Sequence, residues 1–105
     1  MLFRSTVRRR TSGEAQKVPV IPLDYGGGRY VVSTRGESDW VRNLRAAGAA
    51  ELRRKGETTQ VRAVELPVEE RPPVIAAYRG KVGREVDQYF DKLPDPADHP
   101  VFRLE

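Results

Sequence analysis

The chain has no cysteine among its 105 residues, which excludes disulfides and thiolate metal sites and leads us to expect a reducing compartment. Its single histidine, His99, leaves no material for a histidine-based triad or a multi-histidine metal site. Set between Asp98 and Pro100 in a turn-rich segment, His99 reads as a surface residue, and Asp95 and Asp98 read as solvated turn acids. No apolar run reaches the ~20 residues that cross a membrane. Residues 1–13 are basic and lack a signal peptide's apolar core, so the expected location is cytoplasmic. No G-x-x-x-x-G-K-[ST] loop occurs, which excludes a P-loop nucleotide site. Gly26-Gly27-Gly28 leads from one strand into another strand instead of a helix, so it is a turn and no dinucleotide fingerprint. With so few nucleophilic or acid–base groups, any redox chemistry has to come from a bound cofactor that the protein orients.

What the chain does have is charge. Charged residues make up 32% and apolar ones 38%, and the net charge of +4 is unevenly placed. Arg4, Arg8, Arg9, Arg10 and Lys17 face only Glu14 at the front, whereas residues 84–105 set three cations against six acids. A basic front suits an anionic small ligand, a nucleic acid or an anionic surface. The length corresponds to one domain over residues 1–105, with residues 1–8 either a disordered arm or a partial first strand.

The pattern along the chain predicts a hairpin with arms over Val18–Leu23 and Arg29–Thr34, the first an edge strand or one with a bulge because of Pro19 and Pro22. Trp40, Val41, Leu44 and Ala47 recur at helical spacing over Asp39–Ala47, with Ser38 as N-cap and Gly48 as the stop. A second hairpin is predicted from Ala49–Lys55 and Thr58–Leu66. Helices over Glu69–Tyr78 and Arg84–Lys92 follow, then a strand over Val101–Leu104. The lack of regular βαβ alternation argues for a mainly β or α+β architecture, an antiparallel sheet or small barrel with helices at its rim. Thr34, Arg35 and Gly36 then lie where a strand hands over to a capped helix. Backbone donors and a cation meet there, as an anionic ligand requires. In this pattern Trp40 and Leu44 seat the helix, Asn43 makes a backbone or turn hydrogen bond, and Arg42 and Arg45 form a solvated face.

Arg9-Arg10-Thr11-Ser12-Gly13, Lys17, Pro19, the strand Arg29–Thr34 and the run Arg35-Gly36-Glu37-Ser38-Asp39-Trp40-Val41-Arg42-Asn43-Leu44 occur in an order that resembles the deazaflavin-dependent nitroreductase family. The resemblance extends to the terminal Pro100–Glu105. It implies a small antiparallel split β-barrel with flanking helices. It also implies coenzyme F420, an 8-hydroxy-5-deazaflavin with a phosphate- and glutamate-bearing tail, as hydride donor to a small-molecule substrate such as a nitroaromatic, quinone or activated alkene. By position, the resemblance gives Arg9, Arg10, Ser12 and Lys17 to the anionic tail, and Thr34, Arg35 and Gly36 to the phosphate and ring. Tyr78 falls on the substrate side. Split barrels of this kind often pair, which implies a homodimer. Three other readings stay open on the sequence: an FMN-binding relative, a family member binding a small ligand without catalysis, and a nucleic-acid binder using Arg8-Arg9-Arg10 and Arg53-Arg54-Lys55. The few aromatics near those cations offer little for base stacking, so no specific nucleic acid is expected as partner.

Overall fold

A computed structural model describes residues 3–105. Seven strands form one antiparallel sheet: β1 (Phe3–Arg8), β2 (Ala15–Val20), β3 (Leu23–Tyr25), β4 (Gly28–Val32), β5 (Ala49–Arg54), β6 (Glu57–Glu65) and β7 (Val101–Leu104). Their spatial order is β2-β1-β5-β6-β7-β4-β3, with every neighbouring pair antiparallel. The sheet curls into a half-barrel accompanied by helices α1 (Asp39–Ala47), α2 (Arg71–Val82) and α3 (Asp87–Lys92). The expected α+β antiparallel architecture is therefore present.

The front of the chain is organised differently from the sequence pattern. Phe3–Arg8 is a six-residue strand that pairs along its length with β2, from Phe3 opposite Val20 to Arg8 opposite Ala15. The expected arm over Val18–Leu23 is divided. β2 ends at Val20, Ile21-Pro22 make the corner, and β3 starts at Leu23. The physical reason is Pro22, which lacks an N–H and interrupts the ladder. Proline is tolerated at Pro19 because β2 is an edge strand. The signal of β1 was weak because arginines alternate with its two buried residues, Ser5 and Val7.

Helix α1 follows its sequence signals residue for residue. Ser38 Oγ accepts the Val41 N–H at 3.3 Å. Gly48 closes the helix at φ +66°, its N–H donating to Leu44 O at 2.8 Å. The α2 segment starts two residues later than expected and runs four further, because a 3₁₀ turn over Val68–Glu70 precedes it. Pro72 and Pro73 sit in its first turn, where a missing N–H costs no intrahelical bond.

Two apolar cores flank the sheet. One gathers Val7, Val31, Trp40, Val41, Leu44, Leu52 and Phe102 beneath α1; the other gathers Leu23, Val32, Val74, Tyr78, Phe90 and Val101 under α2 and α3. Successive residues of β4 and β7 thus enter opposite cores: Val31 and Phe102 face α1, Val32 and Val101 face α2. These strands read as continuous apolar runs because both faces are covered.

His99 is fully buried, contrary to its surface assignment from sequence. Its Nδ1 lies 2.8 Å from Ser33 O, its Nε2 lies 2.5 Å from Leu93 O, and its ring stacks at 4.2 Å on Phe90. Polar neighbours in the sequence misled the assignment. The ring serves as a polar cross-tie between the end of β4 and the segment after α3.

Candidate functional site

A groove of about 640 Å³ opens between edge strand β2, the end of β4, the N-terminus of α1 and the middle of α2. Its walls are apolar: Val18, Val20, Ile21, Val31 and the rings of Trp40 and Tyr78. One end is polar, with Ser33, Thr34, Arg35, Ser38 and Asp39. This size and mixture belong to sites for small organic ligands.

The polar end is built by the tight loop between β4 and α1. Ser33 Oγ donates to Gly36 O at 2.7 Å, and the same carbonyl accepts the Ser38 N–H at 2.9 Å. Gly36 sits at φ +78°, where an added Cβ would come within 3.4 Å of the Asp98 carbonyl oxygen. The positive φ favours glycine here, and an added Cβ would meet its neighbours only at ordinary contact distance. Among the described residues, none of the N–H groups of Thr34, Arg35, Gly36 and Glu37 donates to another group of the chain. They precede a helix whose own first N–H groups are unpaired apart from the Ser38 cap. The loop therefore offers free donors in a positive field.

Arg35 extends from this loop and is held in place by α3. Its Nη2 donates to the Tyr89 hydroxyl at 3.2 Å, and its guanidinium stands 5.3 Å from the centre of the Tyr89 ring. Glu37 anchors the other side through a bidentate pair with Arg45, at 3.0 and 3.1 Å. Arg45 also grips Glu65 at 2.7 Å, and Glu65 contacts the buried Arg71 at 3.3 Å. The Arg45 hydrogen bond holds the Glu37 carboxyl below its usual pKa against the opposing effect of burial. The Glu65 and Glu37 hydrogen bonds raise that of Arg45. Arg45 thus does more than the solvated helix face expected of it. Arg71, whose remaining donors take the carbonyls of Leu66, Pro96 and Ala97, carried no sequence signal.

Tyr78 is 6% exposed, and burial raises the pKa of its phenol above the ordinary 10.0. Its hydroxyl has no hydrogen-bond partner within the chain, yet no fully buried side-chain polar atom lacks one among the described residues. The hydroxyl is therefore not fully enclosed, and Tyr78 is among the residues that line the groove, with a neutral hydroxyl free to donate.

Of the residues singled out from sequence, Thr34, Arg35 and Tyr78 share this groove, whereas Gly36, the next residue of the loop, is not part of its lining. Arg10 reaches its rim from the β1–β2 turn. The Arg10 backbone N–H and guanidinium donate to Asn43 Oδ1 at 3.1 and 2.6 Å, and the guanidinium lies 3.7 Å from Asp39. Asn43 Nδ2 in turn donates to Gln16 Oε1 at 2.8 Å, and Gln16 lines the groove. Ser12 instead accepts the Glu14 N–H within its own turn, and the exposed Arg9 side chain makes no polar contact among the described residues. Lys17 is turned to the opposite face of β2, because Gln16, Val18 and Val20 take the groove side. The sequence reading missed those three. Their period-2 spacing was the available signal, obscured by assigning the strand a later start.

The groove fits the group that the loop motif suggested. Aliphatic and aromatic walls suit a flat polycyclic ring, and the free N–H groups with Arg35 suit a phosphate at its polar end. Asp39 on the same rim is offset by Arg10.

Comparison with known proteins bears on which group this is. The family model described as F420H(2)-dependent quinone reductase matches residues 2–93. No curated protein matches the chain by sequence. Among solved structures, an F420-H2 dependent reductase, FDR-A, is similar at TM-score 0.75 and 21% identity, over 99% of this chain and 93% of its own. A domain-swapped dimer is similar at TM-score 0.65 and 22% identity, over 99% and 79%. The heme storage protein HutZ from Vibrio cholerae is similar at TM-score 0.73 and 15% identity, over 99% and 80%. At these identities the structures establish the fold alone, and HutZ illustrates that the fold serves more than one ligand. The family match carries F420 and lends no support to FMN. Sequence model, fold and groove agree: the chain belongs to the F420H2-dependent quinone reductase family.

Proposed function

We propose that this chain is an F420H2-dependent reductase that holds the deazaflavin ring in the groove between β2, β4 and α1 and reduces a small organic acceptor of the quinone, nitroaromatic or activated-alkene class. The observation that carries this reading is the convergence, in one groove, of apolar walls, free N–H groups beside Arg35, and the unpartnered Tyr78 hydroxyl. When bound, the reduced deazaflavin supplies a hydride. The chain supplies position, dryness and a proton donor.

Thr34, Arg35 and the free N–H groups of the loop would hold the phosphate, with Tyr89 keeping Arg35 extended. Arg10 would add positive charge at the rim. Arg9, Ser12 and Lys17, given to the coenzyme tail by resemblance, would reach it only beyond the groove. Val18, Val20 and Val31 exclude water from the ring. Tyr78 is protonated at neutral pH, as any phenol is, and burial disfavours its phenolate further, so its hydroxyl donates a hydrogen bond to an acceptor oxygen as negative charge develops there. No helix of the described residues is long and apolar enough to cross a membrane. We also propose a homodimer, which the domain-swapped neighbour supports by analogy of fold.

Fluorescence titration with oxidised and reduced coenzyme F420 tests the reading. Saturable binding in the micromolar range, weakened roughly tenfold or more by Arg35→Ala, is expected from loss of a charge-assisted hydrogen bond. No binding at tens of micromolar refutes it.

A further inference from the structure

A second hollow, of about 560 Å³, lies at the other end of the β1–β2 and β5–β6 hairpins. Five cations from three elements line it: Arg4 of β1, Lys17 of β2, and Arg53, Arg54 and Lys55 at the β5–β6 turn. No carboxylate lines it, and among the described residues none of the five makes an ion pair. Arg4 and Arg53 are direct cross-strand partners, an arrangement that is repulsive without a counter-anion.

Two features distinguish this hollow from a scatter of solvated side chains. Arg54 is positioned by an aromatic ring. Its guanidinium stands 5.5 Å from the centre of the Phe3 ring, which Arg29 approaches at the same distance. The tip of the hairpin also carries backbone strain. Lys55 is the sole non-glycine residue with positive φ among those described, at +50°, followed by Gly56 at +83°. A turn with two positive φ values favours Asn-Gly, and here the first position holds a lysine. The lysine thus occupies the turn at a cost in strain, and its charge lines the hollow.

We infer that this hollow is a binding site for a compact oligophosphate, separate from the deazaflavin groove. The volume suits a small molecule, and several cations converging from different strands suit clustered phosphates. A free inorganic oligophosphate and the triphosphate of a nucleotide share that chemistry. The two cavities meet only at the edge residue Pro19, because Lys17 projects away from the face formed by Val18 and Val20. The inference does not depend on the coenzyme reading.

Calorimetric titration of the whole protein with sodium tripolyphosphate, and separately with ATP, tests it. One saturable site per chain is expected, weakening as salt is raised. Equal affinity for both probes assigns recognition to the phosphates alone, and tighter ATP binding adds a base contact at Phe3; either outcome supports the site. Arg53→Gln should weaken binding roughly tenfold. Lys55→Asn should weaken it about threefold while raising Tm, because Asn-Gly relieves the strained turn. Both variants should retain wild-type affinity for coenzyme F420. Three results overturn the inference: no saturable binding of either probe, unchanged affinity in both variants, or displacement of coenzyme F420 by tripolyphosphate, which would make the hollow part of the coenzyme's own site.

Discussion

Asn43→Ala isolates the link between the basic N-terminal turn and the groove. Asn43 is 3% exposed on the inner face of α1, where its amide ties Arg10 to Gln16. The substitution removes two neutral hydrogen bonds, at 3.1 and 2.8 Å, and one charge-assisted bond at 2.6 Å. At about 1 kcal/mol for each neutral bond and about 1.5–3 for the charged one, the gross loss is about 3.5–5 kcal/mol. Two effects reduce it. The Arg10 side chain is 35% exposed, so its guanidinium regains water, and alanine is the better helix former by about 0.5 kcal/mol. A net destabilisation of about 1.5–2.5 kcal/mol follows, or roughly 8–15 °C in Tm for a domain of this size. Urea unfolding of wild type, Asn43→Ala, Gln16→Ala and the double variant measures both the loss and the coupling. The pair should couple by about 1 kcal/mol. Coenzyme affinity should fall with Asn43→Ala, because Gln16 and the Arg10 turn border the groove. A loss below about 0.5 kcal/mol, or additive single variants, would refute this account of how the turn is fastened.

Other predictions follow from single contacts. Tyr78→Phe should leave coenzyme affinity and fold intact while lowering kcat, read in a steady-state assay with a quinone acceptor. Above pH 10.0 the unfolded chain ionises Tyr78 while the folded chain resists it, so stability should fall as pH rises from there; a thermal melt series should show a flatter fall in Tyr78→Phe. The lowered pKa of Glu37 gives the opposite sign. Its contribution is full above the unfolded value near 4.5 and is lost as pH falls through the folded value, a dependence that Arg45→Gln should diminish in acid melts. Ser38→Ala should cost about 1 kcal/mol by removing the cap of α1, measured by urea unfolding.

The legible parts of this fold were those written in local chemistry. Ser38, the Trp40–Val41–Leu44 spacing and Gly48 each impose a cap, a face or a stop on their own neighbourhood, and α1 formed with the expected bounds. The loop of Thr34, Arg35 and Gly36 was legible for the same reason. What the sequence hid depended on distant partners. β1 becomes a strand because β2 and β5 flank it, although its arginines dilute the apolar alternation. Asn43 gains its meaning from Arg10 and Gln16, far away in the chain. His99 and Arg71 look like surface residues until backbone carbonyls from other segments close around them. The β2 wall of the groove belongs to this second kind, since Val18 and Val20 face it only once β2 has taken its register against β1.

The place of β7 governs when the groove can come into being. Val101–Leu104 lies between β6 and β4, and no other recorded pairing joins the β3–β4 hairpin to the other strands. During synthesis, therefore, the wall bearing Val31 and Thr34 is made early and waits for some seventy residues before its sheet neighbour emerges. Such pairing between distant segments slows folding and leaves β4 unpaired on that side in the meantime. The three hairpins, β1–β2, β3–β4 and β5–β6, and α1 can organise locally in that interval, and the arrival of β7 then commits the two parts to a single curvature. Binding competence should accordingly appear in one late step of refolding, after most secondary structure has formed.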